Sequence, residues 1–299
     1  MNDNTLSSND RTRRYLQLPT YWNFLKFQRI PAHKISYLEC GDPANDKVVV
    51  CVHGLTRNAH DFDDLGDFLS KGFRVISIDM AGRGWSDWFV NKKHYNYHTY
   101  VKDILLLIKA LNLPPVYWVG TSMGGLIGMC LATYYPKIIK AMILNDIGPE
   151  MPNKTLDRIR KYTSSEAAFD TFEEIAQFIK VRFRRCGITQ ERDWAHMAQT
   201  SVMLCDDRKY RLNYDPGIAE KATQANRSEF LDLWYLWKKV YCPVLLIHGA
   251  KSDVLLPSTI EKMRKYRDFD LHTIEEAGHA PALVYRKDLG TIGDWLTGL

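Results

Sequence analysis

The residues with chemistry to offer stand far apart in this sequence: Ser122, His279, and an aspartate at position 253 or 146. Ser122 lies in Gly120-Thr121-Ser122-Met123-Gly124, entered from Val116-Tyr117-Trp118-Val119 and left through a small, apolar, helix-like run to Cys130. A G-x-S-x-G pattern between strand and helix forces its serine onto a sharp, strained turn with the hydroxyl exposed. A serine hydroxyl is a poor nucleophile at neutral pH; it needs a base, and the base needs an orienting acid. His279, in Glu276-Ala277-Gly278-His279-Ala280-Pro281, is the candidate base. Asp146 and Asp253 both follow strand-like runs after the serine.

Such groups must be delivered by strands that end at one edge of a sheet, because open α/β sheets place their sites at the carboxyl ends of strands. The runs that qualify are Lys47–Val52, Phe73–Asp79, Val116–Val119, Ala141–Asn145, Pro243–His248 and Leu271–Ile274. The first is apolar after its opening lysine, as a strand buried on both faces should be. Helical spacing lies between them at Ala59–Ser70, Tyr97–Leu111, Leu126–Tyr135 and near Thr259–Tyr266. Strand and helix in alternation predict a mostly parallel central sheet flanked by helices. From Met151 to Lys239 the alternation stops and long side chains take over, which reads as a helical cap inserted over the sheet edge. The expected organisation is a flexible tail at 1–20, a core in two parts at 21–150 and 241–299, and a cap at 151–240. Two short β-like runs at Asn23–Ile30 and Lys34–Cys40 suggest an opening antiparallel pair.

Five motifs in register then carry a resemblance. His53-Gly54 follows a buried strand; Asp79-x-x-Gly82-x-Gly84-x-Ser86 follows the next; the serine pattern, His248-Gly249-x-x-x-Asp253 and Gly278-His279 complete the series. With the order serine, acid, histidine, the chain resembles the α/β-hydrolase fold superfamily, of the serine esterase and lipase kind. The resemblance covers Ser36–Glu150 and Tyr241–Leu299. It implies Ser122 as nucleophile, His279 as general acid/base and Asp253 as orienting carboxylate, with Asp146, in a strand-ending turn, as the alternative acid. It also implies an oxyanion hole made by the backbone N–H groups of Leu55 and Met123, each such donor worth about 10²–10³ in rate. The implied activity is hydrolysis of small acyl or aryl esters through an acyl-enzyme, with no metal and no organic cofactor. Carbon–carbon hydrolases, enol-lactonases, thioesterases and acyltransferases share the motifs, and a non-catalytic binding protein could keep the pocket. Epoxide hydrolases and haloalkane dehalogenases use aspartate where this chain has Ser122.

Composition narrows the partners. Across 299 residues, 40 basic and 35 acidic side chains leave a net charge of +5, dispersed rather than gathered into the basic face that nucleic acid requires. The densest basic run, Arg182-Phe183-Arg184-Arg185, reads as a solvated helix face. Six cysteines show no C-x-x-C pair, and Cys51, Cys130 and Cys242 sit in apolar runs. The polar first fifteen residues have no signal-type apolar segment, and no run suits a membrane span, so a cytoplasmic protein is expected. His94 and His98 have metal-ligand spacing without a third partner. Arg57, Arg83 and Trp85 fall in strand-end loops, where packing is the plainer role.

Overall fold

The computed structural model describes residues 11–23, 28–163, 167–218 and 232–299. Its strands in chain order are β1 (Thr12–Leu18), β2 (Tyr21–Asn23), β3 (Gln28–Ile30), β4 (His33–Cys40), β5 (Val48–Val52), β6 (Arg74–Asp79), β7 (Val116–Thr121), β8 (Ile139–Asn145), β9 (Val202–Leu204), β10 (Tyr210–Leu212), β11 (Val244–Gly249) and β12 (Asp270–Ile274). Eight of them make one sheet in the order β1-β4-β6-β5-β7-β8-β11-β12. The pairs β1–β4 and β4–β6 are antiparallel, and every pair from β6 to β12 is parallel. This is an α/β-hydrolase fold with a mostly parallel sheet flanked by helices.

The burial pattern explains why the parallel strands read as unbroken apolar runs. All five residues of β5 are fully buried, Val48, Val50 and Val52 on one face and Val49 and Cys51 on the other. The first face packs under α2 (Tyr97–Ala110) and α3 (Met123–Tyr134), through residues such as Ile104, Leu107, Ile127 and Leu131. The second packs under α1 (Asp63–Leu69) and the closing helix Arg286–Thr297, through Leu65, Leu69, Leu289 and Ile292. Burying each such aliphatic side chain contributes about 1.5–3 kcal/mol, so the sheet is secured from both sides.

After β5 the chain moves out to β6, then returns across β5 to β7. The loops that leave β5 and β7 therefore part in opposite directions and open a crevice at the sheet's carboxyl edge. Val52 and Gly120 are register partners, which brings the residues after each strand together at that edge.

Three expectations change. The tail expected at 1–20 gives way, from Thr12, to edge strand β1, paired along its whole length with β4; residues 1–10 lie outside the described residues. Its polarity belongs to an edge: Arg13 donates to Ser36 and Asp79, and Arg14 and Arg74 both pair with Glu39. In the run at Asn23–Ile30, of which residues 24–27 lie outside the described residues, Gln28–Ile30 pairs not with β4 but with β2, as a separate two-stranded antiparallel sheet. The stretch between β8 and β11 is not wholly helical. It holds α4 (Asn153–Thr163), α5 (Phe172–Phe183), α6 (Glu191–Ser201), the antiparallel pair β9–β10 and a short α7 (Trp234–Trp237). Residues 164–166 and 219–231 of that stretch lie outside the described residues. In the helix after it, α8 (Pro257–Arg264), proline occupies the first turn, where its missing N–H costs nothing. The closing helix is α9 (Arg286–Thr297). Among the described residues no helix is long and apolar enough to cross a membrane.

Candidate active site

Ser122 is built by close packing of glycine backbone. A Cβ on Gly124 would stand 2.0 Å from the Val52 carbonyl oxygen, and one on Gly120 would stand 2.5 Å from Gly124. Only glycine lets β5, β7 and the start of α3 approach that closely. The turn between them places Ser122 at φ 51° and ψ −108°, a conformation that a residue with a Cβ avoids unless its surroundings force it. The Ser122 N–H donates to the Asn145 carbonyl at 3.1 Å, and the Ser122 carbonyl accepts from Gly125 and Leu126. Helix α3 begins at Met123 instead of Leu126, so its positive end meets the serine directly.

His279 Nε2 lies 3.0 Å from Ser122 Oγ, and His279 Nδ1 lies 2.9 Å from Asp146 Oδ2. The carboxylate that meets the histidine is thus Asp146, and the expectation for Asp253 is corrected. Asp253 sits on the protein's rim, its side chain 39% exposed, held by Arg158 at 2.8 Å and Arg185 at 3.7 Å. The reason lies in the turn after β11. That turn brings Ser252 inward, where its hydroxyl donates to Asp146 Oδ2 at 2.6 Å, and leaves Asp253 one residue past the site. Asp146 is fully buried, at φ 55°, immediately after β8. Its Oδ1 accepts from the Gly249 N–H at 3.0 Å and faces His248 Nδ1 at 3.3 Å. Burial works against the charged form of this carboxyl, yet the donors from His248, His279 and Ser252 outweigh it and hold the pKa below the ordinary carboxylate value. The acid expected just past strand β11 does not reach the histidine; β11 and the turn after it instead supply donors that keep the Asp146 carboxyl ionised.

The loop after β5 is fixed by His53, buried completely. The Met80 N–H donates to His53 Nε2 at 3.1 Å, so Nδ1 carries the proton and donates to the Gly54 carbonyl at 2.7 Å. Burial pushes the His53 pKa down to about 3, against the backbone bond to Gly54 and with help from Arg83 and Arg57, so the ring is neutral. The Gly54 carbonyl also accepts from the Arg57 N–H. In a planar trans peptide the N–H points away from the C=O, so anchoring the Gly54 oxygen inside the loop turns the Leu55 N–H outward. A Cβ on Gly54 would lie 3.9 Å from the Ser122 Cβ, which puts this peptide beside the serine. Met123, as the first residue of α3, has an N–H without an intrahelical acceptor.

The Asp79 motif is structural. Asp79 receives the Ala59 and Trp85 N–H groups and Arg13, while its carbonyl accepts from Ser86 Oγ. A Cβ on Gly84 would stand 2.3 Å from Asp79 Oδ1, which explains the glycine. Trp85 is 58% exposed, under the Arg13 guanidinium. Arg57 is occupied by Asp61 and Ser201, tying the β5 loop to α6. His94 packs edge-on against Phe89.

The serine, the histidine and Leu55 line a cleft of about 1440 Å³ between the sheet edge and the segment that follows β8, with Met151, Ile159, Phe183 and Met197 facing it. A volume above the usual few hundred to about 1,000 Å³ of ligand sites leaves room for an elongated molecule.

The structure also gathers a cluster that the sequence did not single out. One ligand atom each from His60, Asp63 and His196 lies within 4.8 Å of the others. Arg11 already pairs with Asp63, and the Arg13 guanidinium meets His60 Nε2 at 2.6 Å. Two guanidinium groups aimed at the same atoms suit an ion-pair hub joining β1, α1 and α6 better than a metal ion. No sequence signal links three residues drawn from positions 60 to 196.

Comparisons with known proteins agree with this architecture. The family model for the alpha/beta hydrolase fold matches residues 47–284. A 3-hydroxybutyrate-oligomer hydrolase of Cupriavidus necator is 36% identical over 274 residues, covering 89% of this chain and 94% of that one. A crystal structure of a putative hydrolase from Rickettsia typhi superposes with a TM-score of 0.92 at 42% identity, covering 96% of this chain and 99% of its own. An alpha/beta hydrolase from Novosphingobium aromaticivorans gives a TM-score of 0.84 at 29% identity, over 97% and 99%. The chain belongs to the alpha/beta hydrolase fold family.

Proposed function

We propose that this hydrolase is a serine esterase that cleaves short ester chains, with oligomers of 3-hydroxybutyrate as the leading substrate class. The observation that carries the reading is the unbroken hydrogen-bonded series Ser122–His279–Asp146 facing a long, largely apolar cleft. Asp146 holds the imidazole with Nδ1 protonated, so Nε2 is free to take the Ser122 proton as Oγ attacks the ester carbonyl. The carbonyl oxygen becomes negative and is met by the Leu55 and Met123 N–H groups. The tetrahedral adduct collapses to an acyl-enzyme, and His279 passes its proton to the leaving alcohol. Water, deprotonated by the same histidine, then adds to the acyl carbonyl and releases the acid and Ser122.

The substrate class rests on two supports. The cleft is larger than a simple acyl ester needs, and the Cupriavidus necator relative, alike over nearly its whole length, is named for cleaving 3-hydroxybutyrate oligomers. The segment between β8 and β11 acts as a cap that shields the acyl-enzyme from bulk water.

The test is a comparison of rates on 3-hydroxybutyrate dimer and trimer against p-nitrophenyl esters of increasing acyl length. Faster kcat/KM on the oligomers supports the substrate class. Turnover of thioesters or lactones with none of any open-chain ester contradicts it.

A further inference from the structure

Arg83 is fully buried, although a guanidinium carries a full charge. Among the described residues no carboxylate stands within ion-pairing distance of it. Its Nε donates to the Leu55 carbonyl at 2.9 Å, and Nη1 donates to the Ala81 carbonyl at 2.7 Å and to the Tyr100 hydroxyl at 2.6 Å. Its Nη2 reaches Met123 Sδ at 3.5 Å. The rings of Tyr95 and Tyr100 lie against it, at 5.8 and 5.1 Å from the guanidinium carbon. Removing a cation from water without a partnering anion is costly, so loop packing alone is a poor reason to keep arginine there. Outside its own loop and α2, the residues that the Arg83 side chain reaches by hydrogen bond, among those described, are Leu55 and Met123, whose backbone N–H groups would hold the oxyanion.

We propose that Arg83 is a positioning residue that clamps Leu55 and Met123 into one rigid pair of oxyanion donors, and whose uncompensated charge favours the negative oxygen that forms between them. The inference rests on the serine esterase reading above. Nε fixes the Leu55–Thr56 peptide from one side while His53 fixes the Gly54–Leu55 peptide from the other, so Leu55 cannot rotate its N–H away. Nη2 holds the Met123 side chain and so the first turn of α3. A rigid fork suits this task because it reaches separate acceptors at fixed angles, which a lysine ammonium does not. A negative oxygen exists only in the transition state and the intermediate, so the benefit falls on kcat rather than on substrate binding.

The experiment compares wild type with Arg83→Met and Arg83→Lys. Kinetics on p-nitrophenyl butyrate are read beside inhibition by phenylboronic acid, whose boron accepts the Ser122 oxygen and becomes a tetrahedral anion in the same place. For Arg83→Met the expected result is a loss of about a hundredfold in kcat, KM within about threefold, and a boronate inhibition constant raised at least about tenfold. Arg83→Lys keeps charge without the fork and should fall between. A folded Arg83→Met with kcat within about threefold of wild type overturns the proposal, as does a fall in kcat with boronate inhibition unchanged. If Arg83→Met does not fold, Tyr100→Phe frees Nη1 from one anchor; a kcat loss matched by weaker boronate binding supports the clamp, and unchanged boronate binding overturns it. Wild type that binds no boronate at all sinks the serine reading itself, a result distinct from any effect of Arg83.

Discussion

Exchanging Asp146 for asparagine is the most discriminating single substitution, because Asp253 offers a matched control. In Asp146→Asn one carboxylate oxygen becomes an NH₂ donor. Oδ2 now accepts from both His279 and Ser252, and Oδ1 accepts from the Gly249 N–H. A donor in the Oδ2 position repels the Nδ1–H of His279 and favours the other tautomer. Nε2 then carries the proton, points it at Ser122 Oγ 3.0 Å away, and cannot act as base. The corresponding exchange in a serine–histidine–aspartate system lowers kcat by about 10⁴, equivalent to about 5 kcal/mol at about 1.4 kcal/mol per tenfold. Asp253→Asn removes only a part-exposed pair with Arg158 and Arg185, worth about 0–1 kcal/mol. Its kcat should stay within about threefold of wild type. Steady-state kinetics on p-nitrophenyl butyrate, with thermal melts to show that each variant is folded, decide between them. A larger loss for Asp253→Asn than for Asp146→Asn refutes the assignment of the acid.

Other outcomes follow from the packing and from two titrating groups. Gly124→Ala forces a Cβ to 2.0 Å from the Val52 carbonyl and should destabilise the fold by more than about 4 kcal/mol, read as a collapse of the melting temperature. The neutral His53 gives a pH signature: its pKa is pushed down to about 3 when folded and returns to about 6.5 when unfolded. Between those values the unfolded chain binds a proton that the folded chain excludes, so stability present above about pH 6.5 is withdrawn as pH falls towards 3. A His53→Gln variant, melted across that range, should lose stability less steeply than wild type; an equal slope contradicts the burial argument. At the ion-pair hub, the hydrogen bond to Asp63 raises the pKa of His196. Its contribution is complete below the unfolded value and disappears as pH rises through the folded one. Limited proteolysis between β8 and β11 should therefore quicken at alkaline pH in wild type and lose that dependence in His196→Ala.

Much of this architecture was legible in the residues, for a physical reason. Strands buried on both faces must be apolar throughout, so Val48–Val52, Val116–Thr121 and Val244–Gly249 announce themselves. Glycines at 120 and 124 have no substitute where three backbones meet. The acid was harder because two aspartates follow adjacent strands of one sheet, and motif spacing pointed to the one that does not meet His279. The choice depends on a one-residue difference in how the turn after β11 enters the site, with Ser252 inside and Asp253 outside. Asp146 did carry a clue, since Asn145-Asp146-Ile147-Gly148 ends a strand with a residue type that tolerates positive φ. Strand β1 is hard to read because an edge strand carrying Arg13, Arg14 and Gln17 has neither apolar continuity nor clean alternation. From the sequence Arg83 reads only as a loop residue; its contacts with Leu55, Tyr100 and Met123 join segments that lie 17 to 40 positions away.

The central claim is that Ser122 is a covalent nucleophile activated by His279. Intact-mass and peptide mass spectrometry after treatment with a fluorophosphonate probe test it directly. The account predicts a single adduct on Ser122, absent in Ser122→Ala and formed at least about a hundredfold more slowly in His279→Ala. Wild type that forms no adduct at Ser122, or a Ser122→Ala variant that keeps full ester hydrolysis, would contradict it.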